Sequence, residues 1–273
     1  MPSINTISVD KLARLIGTPH CPVLLDVRTD EDFGSQPKLI PGSMRRPHAE
    51  ASAWAHELNG HSAIVVCQKG AKLSQGVAAW LRHTGVPADG LEDGFEGWRK
   101  AGLPLVPTDK MPALDREGRT VWVTRARPKV DRIACPWLIR RFVDPRAVFL
   151  FVAPSEVDGV AERFNATPFD VEGVSWSHRG DACTFDVMVE EFGLATEPLT
   201  RLAAIVRGAD TGRFDVAPQA AGLLAASLGL SRMFADDLTQ LEAGMTLYDA
   251  FFRWCRDATE ETHTWHSAKR PGA

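Results

Sequence analysis

The sequence predicts an α/β domain with a central, mostly parallel sheet, followed by an α-rich α+β domain. Three observations predict it. Strand and helix signals alternate through roughly the first hundred residues, the pattern of a layered parallel sheet. A proline- and glycine-rich stretch then interrupts the pattern. Beyond it, apolar residues recur mainly at three- and four-residue spacing, the period of an amphipathic helix.

Taken in order, Val9 to Ile16 reads as a short helix, and Val23 to Val27 as a buried strand. Ile64 to Val66 is a second buried strand. Between Ser74 and Thr84, Val77, Trp80, Leu81 and Thr84 mark a helical stripe, closed by Gly85-Val86-Pro87. The stretch 102–119, GLPLVPTDKMPALDREGR, holds three prolines and two glycines among many charges and reads as a connection. The expected units are 1–107, a linker at 108–119, a second domain at 120–258 and a tail at 259–273. Thr120 to Thr124 and Ala147 to Val152 are the strands expected in the second half. Leu199, Leu202, Val206 and Ala209 trace one helix. Leu238, Leu241, Met245, Tyr248, Phe252 and Cys255 trace another, which Gly244 is expected to split, with Thr246 and Asp249 capping the new segment.

The chain's 273 residues suit two domains, and 44% hydrophobic with 24% charged residues is ordinary for a globular protein. A net charge of -4 argues against a general nucleic-acid binder. No apolar run approaches the ~20 residues that span a bilayer, and MPSINTISVDKLARLIG lacks the pattern of a secretory signal. A cytoplasmic location is expected. The five cysteines, Cys21, Cys67, Cys135, Cys183 and Cys255, are scattered, odd in number and contain no CxxC pair, which fits a reducing compartment.

Cys67 stands apart from the other four. It ends the apolar run Ile64-Val65-Val66 and opens Gln68-Lys69-Gly70-Ala71-Lys72-Leu73-Ser74. A parallel strand delivers such a residue to the carboxyl edge of its sheet, where ligands bind. A glycine-containing loop lets successive amides turn inward, the following helix adds its positive end, and Lys69 and Lys72 add charge. All of these favour a thiolate, the nucleophilic form. The plain alternative is a packing cysteine with solvated lysines beside it.

These residues resemble the rhodanese family across roughly residues 5–107. Leu25-Asp26-Val27-Arg28 is similar to its early Asp-Val-Arg element, and Ile40-Pro41-Gly42-Ser43 to its Ile-Pro-Gly signature. Cys67 to Lys72 matches its active loop, and Asp93-Gly94-Phe95-Glu96-Gly97-Trp98 its closing element. The resemblance implies a rhodanese-like α/β domain in which Cys67 accepts sulfane sulfur, becomes a persulfide and passes the sulfur on. The amides of Gln68, Lys69, Gly70, Ala71 and Lys72 would cradle it, and sulfur transfer would need no cofactor. Implied partners are a small sulfur-containing anion (thiosulfate or a persulfide) and a thiol or cyanide acceptor. Asp26 and Arg28 are expected to support the loop as an internal pair. Two departures bear on the donor: Lys72 stands where arginine is more usual, losing the planar fork for an oxyanion, and the serine falls one place later.

In the second half, Pro136 suits a first helical position, which would place Cys135 at the helix cap near Arg132 and Arg140 as a reactive or oxyanion-facing thiol. An inert cysteine beside a basic face is the alternative. If a further helix starts near Cys183, then Cys183, Asp186 and Glu190 share one face, with His178 folding over it. Those side chains are a candidate metal site, with Asp210 a remote ligand or salt-bridge partner. This half resembles the carboxyl-terminal domain of chromate-resistance (ChrB-type) proteins, through Val130 to Phe142, Pro168-Phe169-Asp170, His178 to Asp186 and Ile205 to Asp210. The resemblance implies a link to chromate, which joins the candidate anions. The competing expectation is a chromate- or metal-sensing protein whose rhodanese module is regulatory. No membrane partner is expected.

Overall fold

The computed structural model describes residues 5–261, so the terminal part of the expected tail, 262–273, lies outside the described residues. In the amino-terminal half the elements are β1 (Thr6–Ile7), α1 (Val9–Leu15), β2 (Val23–Asp26), α2 (Asp30–Ser35), β3 (Lys38–Leu39), β4 (Ser43–Arg45), α3 (Ala51–Trp54), β5 (Ala63–Val66), α4 (Lys72–His83), β6 (Ala88–Leu91), α5 (Gly94–Lys100) and β7 (Val106–Pro107). Five of these strands form one sheet in the order β1-β6-β5-β2-β4, parallel throughout. Its central strand, β5, is buried along its whole length, as a strand covered by helices on both faces should be. Helix α4 turns Ser74, Val77, Ala78 and Leu81 toward the sheet. Trp80, expected on that stripe, is instead 45% exposed, because the buried arc runs through Ala78 rather than through the next residue but one.

The carboxyl-terminal half contains β8 (Val121–Arg125), α6 (Asp131–Leu138), β9 (Val148–Val152), α7 (Val157–Phe164), β10 (Thr167–Pro168), α8 (Thr184–Glu191), α9 (Glu197–Asp210), α10 (Ala220–Met233) and α11 (Asp237–Asp257). Its sheet, β10-β8-β9, is also parallel. Between the halves, β7 pairs antiparallel with β3, Thr108–Lys110 makes a short 3-10 turn and Leu114 bridges to Thr120. One buried cluster runs across both halves, from Leu12, Ile16 and Trp98 to Trp137, Phe142 and Leu199. Gly17 sits where a Cβ would fall 2.3 Å from the Phe142 ring, so the absence of a side chain admits the close approach. No described helix is long and apolar enough to cross a membrane.

Two helix expectations are corrected. Helix α11 runs unbroken through Gly244: a Cβ there would lie 2.5 Å from Ile133 Cγ2, so the glycine is a notch for α6 rather than a break. Asp249 does not cap a new segment. It accepts from Trp137 Nε1 at 2.8 Å and pairs with Arg141 at 2.8 Å. Helix α6 begins at Asp131, so Pro136 lies inside it and Cys135 is a helix-interior residue, not a cap. The start is fixed from outside the local sequence. Ser227 Oγ accepts from the Val130 amide at 3.0 Å, and Tyr248 donates to the Val130 carbonyl at 2.9 Å. The amide missing at Pro136 coincides with the wider π turn, Ile139–Val143, that follows.

Candidate functional site

Strand β5 ends on Val66 and leaves Cys67 at the carboxyl edge of the five-stranded sheet, at the mouth of the loop 67–71. Two glycines fold this loop onto the turn before α5. Gly70 has φ +65°, and a Cβ on it would fall 2.5 Å from the Leu91 carbonyl oxygen. Gly94 has φ +56°, and its Cβ would fall 2.1 Å from Cys67 O and 2.4 Å from Gly70 N. Only a residue without a side chain fits such backbone against backbone packing. The contact is sealed by Phe95 N–H donating to Cys67 O at 2.9 Å and Glu96 N–H donating to Gln68 O at 3.0 Å.

The Cys67 side chain is nearly buried, at 4% exposure. Its thiol donates to Ser74 Oγ at 3.2 Å, and Ser74 Oγ donates to the Ala71 carbonyl at 3.1 Å. Ser74 is fully buried in the first turn of α4, so its one-place shift along the sequence still brings the hydroxyl to the sulfur. In the sequence it stands as a departure from the family's loop, and its place on the buried arc with Val77, Ala78 and Leu81 is the signal that marks it. Lys69 and Lys72 are exposed, and neither is ion-paired among the described residues. Beneath the loop, Asp26 and Arg28 are 1% and 2% exposed. Arg28 grips the carboxylate through Nε at 2.8 Å and Nη2 at 2.6 Å. It also donates to the Lys38 carbonyl at 2.6 Å and stacks 3.7 Å from the Phe95 ring centroid. These two residues fasten the β2 end to α5, which carries Gly94.

A second constellation lies at the carboxyl edge of the smaller sheet. Asp131 opens α6 after β8, Asp170 follows β10, His178 lies in the next loop and Asp210 ends α9. His178 Nε2 is 3.4 Å from Asp131 Oδ2, 3.6 Å from Asp170 Oδ1 and 3.2 Å from Asp210 Oδ2. One potential ligand atom from each of Asp131, Asp170 and His178 lies within 4.8 Å of the other two. A hydrogen bond to Asp131, with the charges of Asp131, Asp210 and Asp170, raises His178 to about 9. Burial, then the charges of Asp131 and Asp170, raises Asp210 to about 7. Burial and Asp131 also push Asp170 up.

This grouping differs from the expected metal set. Cys183 caps α8 and is fully buried, and burial with the Asp131 charge pushes its thiol far up. Asp186 closes the same cap, accepting from the Cys183 amide at 3.0 Å, and pairs with Arg207 at 2.7 Å. Glu190 is exposed. Of the expected metal set only His178 joins the constellation, because the cap geometry turns Cys183 and Asp186 inward to the helix end; Asp210, expected as a remote ligand or salt-bridge partner, does meet His178. The expected oxyanion face at Cys135 is likewise dispersed. Cys135 is fully buried, with its thiol pushed well up by burial and by Asp131. Arg132 pairs with Asp170 at 3.3 Å, and Arg140 pairs with Glu242 at 2.6 Å.

Residues 122–255 match the family model described as ChrB, C-terminal domain, and residues 8–101 match the one described as Rhodanese-like domain. Protein ChrB of Cupriavidus metallidurans is 38% identical over 128 residues, covering 46% of this chain and 38% of that relative, so the match spans well under half of the relative's length. Among solved structures, a rhodanese-like domain protein from Staphylococcus aureus is 27% identical, with a TM-score of 0.31, covering 35% of this chain and 91% of its own. A thiosulfate sulfurtransferase from Pseudomonas aeruginosa is 23% identical, with a TM-score of 0.34, covering 39% of this chain and 20% of its own.

Proposed function

We propose that this chain, a rhodanese-like domain at residues 8–101 joined to a ChrB C-terminal domain at residues 122–255, is a sulfurtransferase that carries sulfur on Cys67. The observation that carries the reading is the seat of the Cys67 sulfur. It lies at a parallel sheet's carboxyl edge, hydrogen-bonded to Ser74 at 3.2 Å and enclosed by a glycine loop. A packing cysteine needs neither the positive-φ glycine nor the open charges of Lys69 and Lys72.

In the reaction, the Cys67 thiolate attacks the outer sulfur of thiosulfate. The sulfur–sulfur bond of the donor breaks, sulfite leaves with the bonding pair, and a Cys67 persulfide remains. A thiol or cyanide acceptor then attacks the terminal persulfide sulfur, forming a persulfide or thiocyanate and restoring the Cys67 thiolate. Ser74, freed from the thiol proton, donates its hydroxyl to the anionic sulfur. Lys69 and Lys72 attract the anionic donor, and Lys72 acts as a point charge rather than a bidentate fork. The near burial of Cys67 favours a small donor such as thiosulfate or a low-molecular-weight persulfide. Sulfur transfer of this kind needs no cofactor. Asp26 and Arg28 act through the loop's position. For the second domain the reading is a link to chromate, resting on the resemblance, with chromate a further tetrahedral anion for the protein to meet.

The test is thiosulfate:cyanide turnover of the full chain beside Cys67→Ala. Thiocyanate formation by wild type that vanishes in Cys67→Ala supports the reading. Equal rates in the two proteins, or none in wild type with either thiosulfate or a glutathione persulfide as donor, overturn it.

A further inference from the structure

We propose that Asp131, Asp170 and His178, with Asp210 beside the imidazole, form a binding site for one divalent first-row cation, of the Mn2+ or Fe2+ kind, at the carboxyl edge of the β10-β8-β9 sheet. The site is independent of Cys67 and shares no residue with its loop.

Geometry carries the argument first. A cation with bonds of about 2.1–2.3 Å holds neighbouring ligand atoms about 3 Å apart and opposite ones a little over 4 Å apart. His178 Nε2 stands 3.2, 3.4 and 3.6 Å from carboxylate oxygens of Asp210, Asp131 and Asp170. One ligand atom from each of Asp131, Asp170 and His178 lies within 4.8 Å of the other two, close enough for one ion to reach all three, while Asp210 flanks the imidazole. The groups come from four separate elements, and the two aspartates that lead the set have supports of their own. Thr184 N–H donates to Asp131 Oδ2 at 2.7 Å, and Thr184 Oγ1 donates to Asp170 Oδ1 at 2.9 Å. Arg132 and Arg125 take the other Asp170 oxygen, Oδ2, at 3.3 and 3.4 Å. Second partners of this type orient ligating side chains.

The second observation is independent of the clustering. The Asp131 side chain is 0% exposed, and its Oδ1 has no hydrogen-bond partner. A carboxylate oxygen removed from water without a partner is strongly unfavourable. A cation shared with the neighbouring aspartates supplies the missing interaction and offsets their mutual repulsion. The same oxygen would be repelled by an anion, so a sulfur or chromium oxyanion does not fit this site.

Chemistry narrows the class. Carboxylates suit Mg2+, Ca2+ and Mn2+, while imidazole suits Zn2+, iron and the later metals. Two carboxylates with one imidazole fit the overlap of the two groups. The nearby thiols, Cys135 and Cys183, are fully buried and neither belongs to the group of mutually close ligand atoms, so the soft ligands that would favour zinc or copper are missing from it. His178, 40% exposed, leaves the site a face toward solvent through which an ion and its waters can pass.

The experiment is a Mn2+ titration of the chelator-stripped full chain, read by the loss of the free-ion electron paramagnetic resonance signal. The expected result is one Mn2+ bound per chain, weakened at least about ten-fold in His178→Gln and in Asp131→Asn, and unchanged in Glu190→Gln. His178→Gln changes a partly exposed residue, so it keeps the test valid should Asp131→Asn fail to fold, as checked by circular dichroism. Absence of binding by wild type at millimolar Mn2+, or equal affinity in folded His178→Gln, overturns the proposal. None of these outcomes touches the reading of Cys67.

Discussion

Gly94→Ala is the sharpest perturbation of the sulfur loop that leaves every loop side chain in place. An added side chain at φ +56° costs about 1–2 kcal/mol in backbone strain. Its Cβ would also stand 2.1 Å from Cys67 O and 2.4 Å from Gly70 N, distances that real Cβ atoms do not keep. The turn and the loop must therefore separate by about 1 Å, a displacement that can cost on the order of 100-fold in rate when it falls on reacting groups. Separation also weakens the Phe95 N–H to Cys67 O bond, adding about 0.5–1.5 kcal/mol. Gly85→Ala is the control: φ is +88° and nothing lies within 4 Å of its Cβ, so it bears the backbone strain alone. Urea unfolding should show Gly94→Ala less stable than Gly85→Ala by about 1 kcal/mol or more. At matched folded fraction, thiosulfate:cyanide turnover should be near wild type in Gly85→Ala and reduced on the order of 100-fold in Gly94→Ala. Equal stability of the two variants, with turnover retained in Gly94→Ala, would refute the reasoning.

Three further outcomes follow from the same geometry. Ser74→Ala removes the hydroxyl on the sulfur and should lower kcat by roughly five-fold, the effect of about 1 kcal/mol, with the melting temperature held close to wild type; unchanged kcat would remove Ser74 from the site. Asp26→Ala leaves the buried Arg28 guanidinium without its carboxylate and should destabilise by about 3–5 kcal/mol, seen as a fall of about 5–10 °C in Tm. A loss below 1 kcal/mol would show that the Lys38 and Gln36 carbonyls, which also accept from Arg28, suffice. Burial raises both Cys21 and Cys255 to about 11 from an ordinary 9.0. Because the folded value is the higher one, each thiol's stabilising contribution is complete below pH 9 and is lost as pH rises through 11. Iodoacetamide labelling followed by peptide mapping should therefore leave Cys21 and Cys255 largely unmodified at pH 8 and accelerate steeply between pH 9 and 11. Rapid labelling at pH 8 would contradict the burial argument.

Local chemistry made the amino-terminal half readable. Cys67, Gly70 and the start of α4 are consecutive, so strand, turn and helix signals coincide within a few residues. Ser74 is less legible, since its contact with sulfur depends on which arc of α4 faces the sheet. The second half resisted for a physical reason. Asp131, Asp170, His178 and Asp210 converge from two helices, a strand end and a loop, and no local spacing encodes their meeting. Two local rules were overridden by tertiary packing. Pro136 looks like a helix start, but Ser227 and Tyr248 hold the chain at Val130 and let α6 begin upstream. Gly244 looks like a break, but Ile133 fills the notch it leaves. The residues around Cys135, Arg132 and Arg140, read locally as an oxyanion face. The arginines there and beside them are paired with carboxylates instead: Arg125 and Arg132 with Asp170, Arg140 with Glu242 and Arg141 with Asp249.

The most direct test of the Cys67 account is intact and peptide mass spectrometry after brief exposure of the reduced full chain to thiosulfate. The account predicts a gain of one sulfur atom on the peptide bearing Cys67, reversed by cyanide with release of thiocyanate and absent from Cys67→Ser. A mass gain on another cysteine, or none on Cys67 while thiocyanate is still produced, would contradict it.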